Sequence, residues 1–140
     1  MKNCVLILIF LMISQVVKSQ DLQNHEWKNR VLLVISSKEN SELVTQQIEI
    51  LKKENKGLQE RKLVVYTIFK HFYQYNFQSK KYQATELYNQ FNTENVDFKV
   101  ILLGLDGGKK LSQKELLSTE KLFTIIDGMP MRRNEMRVKN

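Results

Sequence analysis

Three short apolar runs constrain this chain more than any other feature: Val31–Ile35, Lys62–Phe69 and Phe98–Leu105. Each is dense in Val, Ile, Leu, Tyr or Phe, residues that fit a pleated, half-buried surface. Val31–Ile35 is apolar without interruption, as expected of a strand buried on both faces. The stretches between the runs carry helical spacing instead. Val44, Ile48 and Leu51 form one stripe, widened by Leu43 and Ile50. Asn40 and Ser41 offer an N-cap ahead of it, Glu42 suits the first turn, and Gly57 is the expected stop. Ala84, Leu87, Tyr88 and Phe91 stand at i, i+3, i+4 and i+7 on a second helix, for which Ser79 is the available cap. A chain that alternates in this way buries a central sheet beneath helices.

After the third run, Asp106-Gly107 is a strong two-residue hairpin signal, because a type I′ turn needs positive φ at both central positions. Lys109–Ser112 then returns as a short fourth strand. Ser118 caps a last helix whose face carries Leu122, Ile125 and Ile126. Asp127-Gly128 ends that helix, and Pro130 prevents its continuation. Asp21–Arg30, polar apart from Leu22 and Trp27, reads as a lead-in. The predicted order is β-α-β-α-β-β-α. Strands separated by helices favour parallel pairing, and the hairpin adds an antiparallel neighbour. The expected fold class is α/β: a mixed four-stranded sheet flanked by helices, the thioredoxin-like arrangement.

The first residues follow a separate logic. Lys2 precedes ten apolar residues, Cys4–Ile13. At about 1.5 Å per residue these are too few to cross a hydrocarbon core of about 30 Å. Val17-Lys18-Ser19 fits a signal-peptidase site. Residues 1–19 are therefore expected to be a signal peptide, and residues 20–140 a single exported domain, periplasmic or extracellular. An uncleaved membrane anchor is the alternative. Cleavage removes Cys4, the one cysteine, and with it any thiol exchange, thiol peroxidase or Cys-nucleophile chemistry. It also removes Lys2 and Lys18, so 20 Lys and Arg face 15 Asp and Glu, and the formal charge falls from +7 to +5. No concentrated basic run points to nucleic acid, and no stable membrane insertion is expected after cleavage. Two His and one Cys cannot build an ordinary His/Cys metal site, and no pattern implies a cofactor.

Three stretches carry a resemblance. They are Trp27-Lys-Asn-Arg30-Val-Leu-Leu-Val34, Phe98-Lys-Val-Ile-Leu-Leu-Gly104-Leu-Asp106-Gly-Gly108-Lys-Lys-Leu111, and Ile126-Asp127-Gly-Met129-Pro130-Met131-Arg132-Arg133-Asn-Glu135-Met136-Arg137. Together they resemble the bacterial domain-of-unknown-function family 4174, over nearly all of the mature chain. The resemblance implies a secreted thioredoxin-like domain, grouped with C-terminal domains of sushi-repeat extracellular proteins and equarin, and it implies no particular activity. In a working thioredoxin the Cys-x-x-Cys would fall near Asn40–Leu43, which here reads Asn40-Ser41-Glu42-Leu43. The cis-Pro would fall within Asn95–Phe98, which contains no proline. Both redox hallmarks are absent.

Met129–Met136 is the leading functional candidate. Arg132 and Arg133 are adjacent beyond a Gly-Met-Pro break, and guanidinium forks hold carboxylates and phosphates in a bidentate way. Glu135 is placed to orient one Arg while the other faces a ligand. Asp127 and Asp106 complete the candidate binding set. The architectural alternative has Met129, Met131 and Met136 filling gaps while Glu135 locks an Arg. Asp106–Lys110 does not match a phosphate loop, since Leu111 occupies the hydroxyl position. Phe72, Tyr73, Tyr75, Phe77 and Tyr82, interleaved with Lys80 and Lys81, are expected to pack beneath a connection; a sugar or peptide groove is the sharper reading. His25 and His71 are expected at the surface. Ser36-Ser37 lacks a nucleophile elbow.

The expected function is non-catalytic binding of a protein or peptide, with glycan as a further ligand class, in the cell envelope. The surfaces to test are the Arg132/Arg133/Glu135 segment and the loop near Asn40, both expected at one end of the sheet. The rival is an enzyme of non-thiol chemistry, with Arg132 and Arg133 binding an anion and Glu135 or Asp127 as acid/base.

Overall fold

The computed structural model describes residues 20–140. The expected signal segment, residues 1–19, lies outside them. The elements run α1 (Gln20–Gln23), β1 (Arg30–Ser36), α2 (Glu42–Lys53), α3 (Asn55–Glu60), β2 (Leu63–Ile68), β3 (Phe72–Tyr75), β4 (Tyr82–Gln83), α4 (Thr85–Phe91), β5 (Phe98–Leu103), β6 (Lys109–Gln113), α5 (Thr119–Asp127) and α6 (Pro130–Lys139). They build an α/β fold around one six-stranded mixed sheet, ordered β4-β3-β2-β1-β5-β6. β1 lies inside, and all seven of its residues are buried, as its unbroken apolar sequence requires.

The sheet departs from expectation in two ways. Only β1 and β2 pair in parallel, with Arg30 opposite Leu63 and Ile35 opposite Ile68. β5 runs antiparallel to β1 because its connection enters beside the far end of that strand, placing Phe98 opposite Ser36. The strand count is six rather than four. Phe72–Tyr75 pairs with β2, and Tyr82–Gln83 pairs with β3, forming an added edge. Phe72, Tyr73, Tyr75 and Tyr82, expected to pack beneath a connection, instead belong to these strands and pack on one another and on Phe69: Tyr73 stacks on Tyr82 with ring centres 5.1 Å apart, and Phe69 meets Phe72 at 4.9 Å.

Strand alternation sorts the core into two layers. Leu32, Val34, Val65 and Leu102 meet Val44 and Leu51 of α2, Leu58 of α3, and Leu122 and Ile126 of α5. Val31, Leu33, Ile35 and Ile101 meet Leu87 and Tyr88 of α4, with Leu22 of α1 against them. Each fully buried Leu or Ile contributes about 2 kcal/mol by leaving water.

The caps and stops are partly as predicted. Ser41 accepts a hydrogen bond from the Val44 N–H at 3.4 Å, and Ser118 from the Lys121 N–H at 3.2 Å. Gly57 is not a stop. It sits inside α3, where a Cβ would come within 2.8 Å of the Phe123 ring. Ser79 is not a cap either, because the chain first forms β4, and Ala84 precedes α4 without a side-chain cap. At Asp106-Gly107 only Gly107 has positive φ, +76°. The Gly107 N–H donates to the Gly104 carbonyl, and the Gly104 N–H donates to the Gly108 carbonyl. That is a three-residue loop with a left-handed Gly in third place, not a type I′ turn. Pro130 both ends α5 and begins α6, since at a first helical position its missing N–H costs nothing.

Candidate functional site

The extended Met129 between α5 and α6 folds the last helix back on the one before. Arg132 of α6 thereby reaches Asp127, its Nε donating to Oδ1 at 3.2 Å. Arg61, just past α3, grips the same carboxylate from the other side. Its Nε donates to Oδ1 at 3.0 Å and its Nη2 to Oδ2 at 2.8 Å. Arg61 is itself fixed by the Gly57 carbonyl and by the Phe123 ring, whose centre lies 3.9 Å from the guanidinium carbon. Arg132 Nη1 donates to the Glu60 carbonyl at 3.0 Å and to Glu135 Oε2 at 3.4 Å. Glu135 then accepts from Arg30 Nη1 at 3.3 and 3.4 Å, with Lys62 Nζ 3.8 Å away. Arg30 Nη1 also donates to the Arg61 carbonyl at 2.8 Å.

Two carboxylates therefore sit among three arginines at the entry end of β1. Arg30 is 1% exposed and Arg132 5%. Burial pulls the Asp127 carboxyl upward, but Arg61 and Arg132 outweigh it and hold Asp127 below the usual carboxylate value. Asp106 is also held low, first by the Gly108 N–H and then by Lys110.

The predicted residues divide. Arg132, Glu135 and Asp127 come together. Arg133 does not, because neighbours on a helix are about 100° apart, and its side chain is exposed. Asp106 lies in the β5–β6 loop, paired with Lys110 at 3.0 Å. Met129 packs on the core as the architectural alternative expects, whereas Met131 is 44% exposed. The loop near Asn40 follows the exit end of β1, so it lies at the opposite end of the sheet from α6, not beside it. His71 is at the surface as expected. His25 is half-buried: its Nε2 lies 2.8 Å from the Tyr66 hydroxyl, and partial burial lowers its pKa.

Sequence reasoning missed Arg30, Arg61, Lys62 and Trp27. Arg30 is not lead-in but the first residue of β1. Its signal was present, since a charged residue abutting a doubly buried run needs an ionic partner.

Two cavities flank the network. One, of about 580 Å³, is lined by Trp27, Lys62, Met131, Arg132, Glu135 and Val138, among others. The other, of about 250 Å³, is lined by Arg30, Asp106, Lys110, Met129, Pro130 and Met131, with Trp27, Gly104 and Leu105. They share Trp27, Leu105 and Met131. Trp27 is 64% exposed and held at φ +64°, with its N–H donating to the Leu105 carbonyl at 2.6 Å. A bulky residue in the left-handed region is strained, at a cost of about 1–3 kcal/mol.

Among the described residues no cluster of His, Cys, Asp and Glu could hold a metal ion, and no helix is long and apolar enough to cross a membrane. No curated protein matches the chain. A family model does match, over residues 21–135, a span that takes in the whole arginine–carboxylate network and the loop that carries Trp27. The chain belongs to the family described as Domain of unknown function (DUF4174).

Proposed function

We propose that this protein is a non-catalytic binding module that receives a protein or peptide segment in the groove beside α6, after export directed by its first 19 residues. One observation carries the reading: the larger groove is walled by exposed Trp27, Met131 and Val138 over a rigid ionic floor. Soluble domains keep such apolar groups apart unless something docks on them. Trp is the residue most enriched among side chains that dominate binding energy.

The same geometry weighs against the acid/base version. Proton transfer near neutral pH needs a carboxyl pushed toward neutrality. Asp127 is pushed the other way, and Glu135 is shared between Arg30 and Arg132.

The test is affinity capture from a cell-envelope extract, comparing wild type with a folded Trp27→Ala/Val138→Ala variant and with Arg133→Ala. A partner held by wild type and by Arg133→Ala, and lost by the double variant, is the expected result. Equal capture by all three would move the site away from this groove.

A further inference from the structure

Arg30 has an edge that no described residue occupies. Its Nη1 is engaged, but Nε and Nη2 are buried and have no hydrogen-bond partner among the described residues. Those two atoms form the side-on fork of a guanidinium, with two N–H bonds pointing the same way. Arg61 shows what such an edge takes in this molecule: its own Nε and Nη2 hold the two oxygens of Asp127 at 3.0 and 2.8 Å. A buried charged donor left without an acceptor is costly. Arg30 also lines the smaller cavity, whose other walls include the apolar Trp27, Leu105, Met129, Pro130 and Met131.

We infer that Arg30 is the receptor for the C-terminal carboxylate of a bound peptide whose last side chain is apolar and lodges in the 250 Å³ cavity. This deepens the groove reading and rests on it. A carboxylate is planar and matches the fork in a bidentate way. A chain terminus carries its carboxylate and a side chain on the same Cα, which suits a guanidinium edge beside a small apolar cavity. The volume is below that of sites for drug-sized ligands, as befits one terminal residue. The residues before it have a path, because Trp27, Leu105 and Met131 are common to the larger groove. The one carboxylate on the cavity lining, Asp106, is already neutralised by Lys110. Both donors are sealed in the free chain, so the terminus reaches them only as the exposed, unbranched Met131 shifts.

Trp27 is the sole tryptophan and lines both cavities, so its fluorescence reports occupancy. The probes are two libraries of N-acetylated hexapeptides varied at the last three positions, one with free C-terminal carboxylates and one with C-terminal amides. Binders are expected in the free-acid library, with affinity falling at least about tenfold on amidation. The Arg30 Nε–H resonance is expected to move with the acid peptide and not with its amide. Arg30→Lys keeps the charge without the fork and should lose the same factor. If that variant does not fold, the wild-type resonance with the acid/amide pair decides alone. Equal binding of acid and amide would overturn the inference and leave the groove reading standing. Amide binders that depend on an internal Asp or Glu would overturn the terminal assignment. So would movement of the Arg30 resonance with inorganic phosphate but with no acid peptide. No binder in either library would overturn the terminal-carboxylate inference, and the groove reading would then stand or fall on the capture experiment alone.

Discussion

Neutralising the Asp127 carboxylate would leave Arg61 without its anion and Arg132 with Glu135 alone. Asp127→Asn is therefore expected to destabilise the fold by about 2 kcal/mol, read from the urea midpoint. That is less than the roughly 3–5 kcal/mol lost when a fully buried pair is broken, because the Asp127 side chain is 33% exposed. Its pH dependence follows from linkage. The folded state holds Asp127 below its unfolded value, so its contribution is complete above about pH 4 and is lost as pH falls through the folded pKa. Asp127→Asn should flatten that part of the acid limb in denaturation curves taken from neutral to low pH. Arg133→Ala should stay within about 0.5 kcal/mol of wild type, since the side chain is exposed. The Arg132–Glu135 pair was legible because i, i+3 spacing is local. Arg30 announced only that it needed an anion; which one was hidden, because Glu135 is 105 positions away and no local rule connects them.

At the scale of elements, β1, β2 and β5 could be read because continuous apolar runs report burial on both faces. The helical stripes could be read because 3.6-residue spacing survives in the sequence. β3 escaped because Phe72, Tyr73 and Tyr75 put aromatic residues on both faces and erase the alternation that marks a strand. The direction of β5 escaped because it depends on where a long connection returns, which no window of sequence records. Gly57 was misread for a related reason. Glycine is a common helix stop, but this one admits the Phe123 ring against the backbone of α3. Gly57→Ala is thus expected to destabilise by about 1–2 kcal/mol through overpacking, despite the usual helix preference for Ala. A gain in thermal midpoint would show that Phe123 simply swings aside.

For the whole molecule, protection should follow the sheet. Amides of β1, paired on both sides and buried throughout, are expected to exchange hydrogen only through global unfolding, while those of β4 exchange first. Fast exchange across Val31–Ile35 under native conditions would contradict that gradient. The two outer strands have a further consequence. β4 is two residues long and follows Lys80 and Lys81, which stand over Tyr82 and Phe72 at 5.0 and 4.3 Å. β6 opens with Lys109 and Lys110, both exposed. Neither border offers a long, flat, uncharged ladder to another chain. Self-association by strand addition is thereby discouraged, and Lys109→Val/Lys110→Val should bring larger species into view on size-exclusion chromatography. An incoming strand thus meets lysine at the opening of either border, and growth of the sheet carries a charge penalty that an uncharged edge would lack.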